Sequence, residues 1–238
     1  MRINKDCWLL NTPIAHRGLW GGDIIENSLP AYQNAVDNGY AIEIDLYSTK
    51  DGTIVCFHDD TLERMTGEKG FIHDKTLSEL KKLSLENSNH KIPTFAELLE
   101  LVNGKVPLLI EFKDQPDNSY VEKAVAMLKN YSGKFAVQAF NPLYLRKIKK
   151  LAPEFLRGIL GTHTPPEERN FLTKFVVKNL SLNFLIKPDF ISYNHQGLPI
   201  KNKKKLPLLA WTVTDKDSAK TALKFADNII FENFIPKD

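Results

Sequence analysis

The sequence predicts an α/β fold, a TIM (β/α)8 barrel, and three observations carry that expectation. Strand-like apolar runs alternate with helix-like segments throughout the chain, which argues for a parallel sheet, and about eight such units argue for a closed one. The 238 residues lie close to the ~250 of a typical barrel and suit one large domain, 1–238. No glycine-rich strand-to-helix turn supports the competing doubly wound open sheet.

Taken in order, PIAHR precedes ENSLPAYQNAVDNGY, in which Leu29, Tyr32, Ala35 and Val36 recur at helical spacing. AIEIDLY is the second strand, followed by the turn STKDGTI and the run IVCFH. Asp51-Gly52 between two β-rich runs signals a hairpin, so IVCFH is counted as an excursion and not as a member of the ring. The more polar stretch 59–106 is too long for a plain connection and reads as an insertion carried by the second unit. Within it, TLSELKKL and TFAELLELV each open on a threonine with a glutamate three residues on, the capping-box pattern.

The later alternation is regular. PLLIEF leads to NSYVEKAVAMLKNY, KFAVQAF to NPLYLRKIKKLA, and FLRGILG to a helix-like 166–184. PDFISYN leads to a short basic connection, PLLAWTV to DKDSAKTALKFA, and NIIFEN comes last. Little chain follows it, so the last helix is expected to be shortened or missing.

Composition excludes several classes. The net charge of +3 is mild, and the one basic cluster, Lys201 to Lys205 around Asn202, reads as a solvated loop, not a nucleic-acid face. MRINKDCWLLNTP is too polar for a signal peptide and no run has membrane length, which together predict a cytoplasmic protein without stable membrane insertion. Cys7 and Cys56 fit no metal or redox spacing and are expected as free thiols.

The chemistry lies at strand ends. Alternation places Glu43 and Asp45 on one face of their strand, and Glu111 and Lys113 on one face with Leu109. His58 ends its run on the side of Cys56, and His16 and Arg17 close the first strand. All sit near carboxyl ends, the functional rim of a barrel. Three carboxylates converging there would repel one another and raise their pKa values unless a cation stood among them. All-oxygen ligands favour one divalent cation of the hard kind, Mg²⁺, Ca²⁺ or Mn²⁺, and the lack of a paired His-x-His weakens a zinc reading. Arg17 and Lys113 suit phosphate oxygens, and histidines such as His16 and His58 ordinarily titrate near neutrality. Together these describe a phosphodiester site with one histidine as base and the other as acid. Singly, each group has a plainer reading as a strand-end polar residue or surface ion pair; the conjunction on three strands lifts them. His73, His90 and His163 read as surface residues, and His195 as a structural one.

With these residues assembled, the chain resembles the glycerophosphodiester phosphodiesterase family. The match runs from IAHRG through ENSLPAYQNAVDNGYAIEIDLYSTKDGTIVCFHDDTLERMTGEKG to IPTFAELLELV and PLLIEFK, with weaker echoes in VQAFNP, AWTV and the last strand. The resemblance implies a TIM barrel with a small insertion after the second strand. It implies hydrolysis of a small-molecule glycerophosphodiester to an alcohol and sn-glycerol 3-phosphate, with His16 and His58 as the acid–base pair. Glu43, Asp45 and Glu111 become metal ligands, Arg17 and Lys113 phosphate contacts, and Trp211 an aromatic of the substrate pocket. Glu26 matches a family acid that orients Arg17 or supports the metal. The departures are Ala139, where serine is common, and IIFENF in place of a threonine-aspartate ending. A phospholipase D-like lyase releasing a cyclic phosphate from lysolipids is the alternative reaction, and a non-catalytic phosphopolyol-binding barrel the alternative class. The leaving alcohol would be selected by loops 19–24, 162–188 and 194–205, with Trp20 and Phe140 as walls. Oligomeric state, a homodimer included, is left open.

Overall fold

The structure, a computed structural model, describes residues 2–86, 88–165, 177–178, 180, 186–200 and 205–236. Its strands are β1 (Ile14–Ala15), β2 (Ala41–Ser48), β3 (Ile54–Cys56), β4 (Leu108–Phe112), β5 (Phe135–Ala139), β6 (Arg157–Gly161), β7 (Phe190–Asn194), β8 (Leu208–Val213) and β9 (Asn228–Phe231). They form one sheet in the order β1-β9-β8-β7-β6-β5-β4-β2-β3, and β1 pairs with β2 as well, the order of a closed (β/α)8 barrel with β3 outside the ring. Among the described residues no helix follows β9, and none is long and apolar enough to cross a membrane.

The chain gathers into two compact units. Residues 15–135 form the first. In it α2 (Leu29–Asp37) begins at Ser28, whose hydroxyl accepts from the Ala31 amide, with Pro30 in the first turn. Every residue of β2 is buried, and β2 pairs in parallel with β4, Asp45 opposite Glu111. The Asp51-Gly52 hairpin forms as its signal predicts: Gly52 has φ +75°, and β3 returns antiparallel with Cys56 opposite Leu46.

The stretch 59–106, expected as one insertion, divides in two. Its last part is α5 (Phe95–Val102), which lies against α2 and β3 and carries the parallel crossover from β2 to β4. An amphipathic helix looks alike in either role, so its pattern alone did not separate them. The preceding part holds α3 (Glu63–Thr66) and α4 (Leu77–Leu80) around a buried cluster that includes Phe57, Leu62, Met65, Ile72, Leu80, Leu85 and Ile92. Both expected capping boxes are present, Thr76 with Glu79 and Thr94 with Glu97. The unit closes with α6 (Tyr120–Lys129), whose Tyr120, Val121, Ala124, Val125 and Leu128 form its buried stripe.

Residues 1–14 and 136–238 form the second unit. It holds α1 (Trp8–Asn11), α7 (Pro142–Leu151), α8 (Lys216–Ala222) and the parallel run β6 to β9. Asn228 ties the last strand to the start of the chain by donating to the carbonyls of Leu9 at 2.9 Å and Thr12 at 2.7 Å. The helix-like 166–184 and the basic cluster from Lys201 fall largely outside the described residues, as do parts of the loops 162–188 and 194–205.

Candidate active site

The first unit brings together His16, Arg17, Glu43, Asp45, His58, Glu111 and Lys113. Trp211 belongs to the other unit, on β8, edge-on to Phe140 with ring centres 5.8 Å apart.

The turn after β1 is tightly specified. Arg17 and Gly18 both take positive φ, +59° and +86°, and a β-carbon on Gly18 would meet the Ala31 backbone and β-carbon at 2.9 Å. The Arg17 amide donates to Glu43 Oε2 at 3.2 Å, so a β2 carboxylate anchors this turn.

Alternation on β2 points Glu43 and Asp45 the same way, and the β2–β4 register adds Glu111. One oxygen from each of the three carboxylates lies within 4.8 Å of the others, and all three residues are buried. Burial, reinforced by Asp45 and Glu111 and only partly offset by Arg17 and Lys113, pushes the Glu43 carboxyl well above the usual range. Burial acts the same way on Asp45, but Lys113, His58 and Arg17 outweigh it and hold that carboxyl below the usual range. Lys113 stands 3.0 Å from Glu111 and 3.4 Å from Asp45 Oδ1. Burial opposes its charge, yet those two acids raise its pKa. Asp45 Oδ1 is buried without a hydrogen-bond partner, while Oδ2 accepts from Asn27 at 3.1 Å. Three buried carboxylates with an unfilled acceptor fit a hard divalent cation.

The two histidine rings lie 6.5 Å apart at 76°. His16 Nε2 is 4.0 Å from Glu43 Oε2, and its carbonyl accepts from the Trp20 indole at 2.9 Å. His58 Nδ1 is 2.6 Å from Asp59 Oδ1. Glu26 stands apart from the carboxylate trio; its Oε1 accepts from Arg17 at 2.8 Å and from Arg64 at 2.6 Å.

Asn27, Asp59 and Arg64 are functional candidates that the sequence reading missed. Asp59 was visible as the acid directly after His58, whereas Arg64 carries no local signal. One other expectation is corrected. His73, His90 and His163 are half-buried, not surface residues; Phe71 stacks on His73 at 5.1 Å, and the Nδ1 atoms of His73 and His163 are buried. Both cysteines are free, as expected, Cys56 being fully enclosed.

The glycerophosphoryl diester phosphodiesterase family model matches residues 16–236. The chain belongs to this family. It is 32% identical to the protein YhdW of Bacillus subtilis (strain 168), covering 94% of this chain and 96% of that one. It is 31% identical to a glycerophosphodiester phosphodiesterase of Caldanaerobacter subterraneus subsp. tengcongensis, covering 92% and 93%. Among solved structures, an Oleispira antarctica phosphodiesterase in complex with the product sn-glycerol-3-phosphate superimposes with a TM-score of 0.77 at 25% identity, over 94% of this chain and 93% of that one. The family resemblance of the first half thus extends over nearly the whole chain.

Proposed function

We propose that this family member is a metal-dependent phosphodiesterase that hydrolyses glycerophosphodiesters to an alcohol and sn-glycerol 3-phosphate, with His16 and His58 as its acid–base pair. The observation that carries the reading is the carboxylate trio within 4.8 Å beside two histidine rings 6.5 Å apart, in a chain of this family. The product held by the Oleispira relative supports the substrate class.

Glu43, Asp45 and Glu111 would hold the cation, which supplies Lewis-acid neutralisation of phosphoryl charge. Arg17 and Lys113, fixed by their acidic partners, add cationic groups for phosphate oxygens. One histidine takes the proton of the substrate's glycerol hydroxyl as that oxygen bonds to phosphorus. The other gives a proton to the departing alcohol oxygen as the P–O bond breaks. The pair then exchange roles while water opens the cyclic phosphate. Lys113 and Glu111 leave β4 on one side, which keeps this cation beside the metal ligands throughout.

Glycerophosphocholine, glycerophosphoethanolamine, glycerophosphoinositol and glycerophosphoglycerol, each assayed with Mg²⁺, Ca²⁺ and Mn²⁺ and followed by phosphorus NMR, test the reading. Glycerol 3-phosphate should accumulate and chelation should stop it. A cyclic phosphate as end product would make the enzyme a lyase, and no turnover with any ion would refute the assignment.

A further inference from the structure

A continuous chain of charged side chains runs from the turn after β1 to the second histidine: Arg17, Glu26, Arg64, Asp59, His58. Arg17 Nη1 donates to Glu26 Oε1 at 2.8 Å, and Arg64 Nη2 donates to the same oxygen at 2.6 Å. Arg64 also grips Asp59 with two donors, Nε to Oδ2 at 2.6 Å and Nη2 to Oδ1 at 2.9 Å. Asp59 Oδ1 then meets His58 Nδ1 at 2.6 Å. An isolated exposed pair contributes little, but bidentate arginine contacts in a connected network fix orientation as well as charge.

The direction of the last bond follows from charge. Burial works against ionisation of Asp59, but His58 and Arg64 outweigh it and keep the carboxyl well below the usual range. An ionised carboxylate only accepts hydrogen bonds, so Nδ1 must carry the hydrogen and the neutral ring keeps Nε2 bare. Left alone, the imidazole would choose between its two nitrogens.

We propose that Asp59 is a positioning residue that holds His58 in the Nδ1–H form and presents Nε2 as its working nitrogen, with Arg64 orienting Asp59 and tying it through Glu26 to Arg17. The proposal rests on His58 being one of the acid–base pair. It gives the insertion a part in the reaction, because Arg64 comes from α3.

The test uses full-length enzyme, ¹⁵N-labelled at histidine and saturated with Mg²⁺, observed at a pH where His58 is neutral. The wild-type spectrum should show the His58 hydrogen on Nδ1. Asp59→Ala should move it towards Nε2 and lower kcat about 10–100-fold with KM little changed. Asp59→Asn keeps the shape but offers an amide N–H donor as well as an acceptor, so it should no longer enforce the Nδ1–H form, should raise the Nε2–H population and should lower kcat. Should the alanine variant fail to fold, the wild-type and asparagine spectra decide alone. A wild-type His58 protonated on Nε2, or an Asp59→Ala enzyme with unchanged tautomer and kcat, would overturn the proposal. Absence of glycerophosphodiester turnover by the wild type, with the Nδ1–H signal present, would sink the functional reading while upholding the tautomer assignment.

Discussion

The Arg17 amide and the Glu43 carboxylate are joined by a 3.2 Å hydrogen bond, so the residue offered as a metal ligand also holds the loop that carries His16. Glu43→Gln should therefore weaken Mg²⁺ binding and lower turnover, each by roughly 100-fold or more, beyond the ~10–100-fold typical of outer partners. Because the Glu43 carboxyl titrates well above the usual range, binding a cation below that pKa must expel its proton. Apparent affinity should rise with pH, and calorimetry in buffers of different ionisation enthalpy would read the released proton directly.

His16→Ala and His58→Ala should each reduce kcat by ~10²–10⁴-fold, the range for general acid–base groups. Neither should change the circular dichroism spectrum or Mg²⁺ affinity materially. A variant with near-normal kcat would remove that histidine from the pair.

Gly18→Ala tests the close approach between the β1 turn and α2. The substitution demands φ near +86° and places a methyl 2.9 Å from Ala31, at the backbone of a packed helix. We expect a loss of about 1–3 kcal/mol in urea unfolding, the usual cost of overpacking.

The capping box at α5 offers a pH test. Thr94→Ala removes the acceptor for the Glu97 amide and should cost about 1 kcal/mol. Burial, the largest single influence, raises the Glu97 pKa, but Lys81 and the Thr94 amide and hydroxyl together outweigh it and lower it overall. A depressed carboxyl stabilises the fold above its unfolded value of 4.5 and ceases to do so as pH falls through the folded one. Glu97→Gln should thus be less stable than wild type at pH 7, with the difference shrinking towards pH 3 in parallel denaturation curves.

The legible parts of this molecule were those written in local spacing. Glu43, Asp45 and Glu111 could be placed because strand alternation sorts neighbours by face, and the Thr94–Glu97 cap because its two halves are three residues apart. The hairpin followed from Asp51-Gly52. Arg64 escaped because its partners lie 5 and 38 residues away, at Asp59 and Glu26, and no periodicity connects them. Asn27 escaped for the same reason: it reaches Asp45 across 18 residues and is itself held by the Tyr32 hydroxyl. The role of α5 was misread because its apolar stripe is equally consistent with packing on an insertion or on a barrel strand.

β3 pairs with β2 outside the closed ring, and the chain after it is supported by Leu62, Met65, Ile72, Leu80 and Leu85. His58, proposed as half of the acid–base pair, thus rides on an appendage whose cohesion is partly its own. Such a segment can open at lower free energy than the whole molecule. On heating, activity should fade before helical ellipticity does, and proteolytic nicks in this region should silence the enzyme while the barrel still stands.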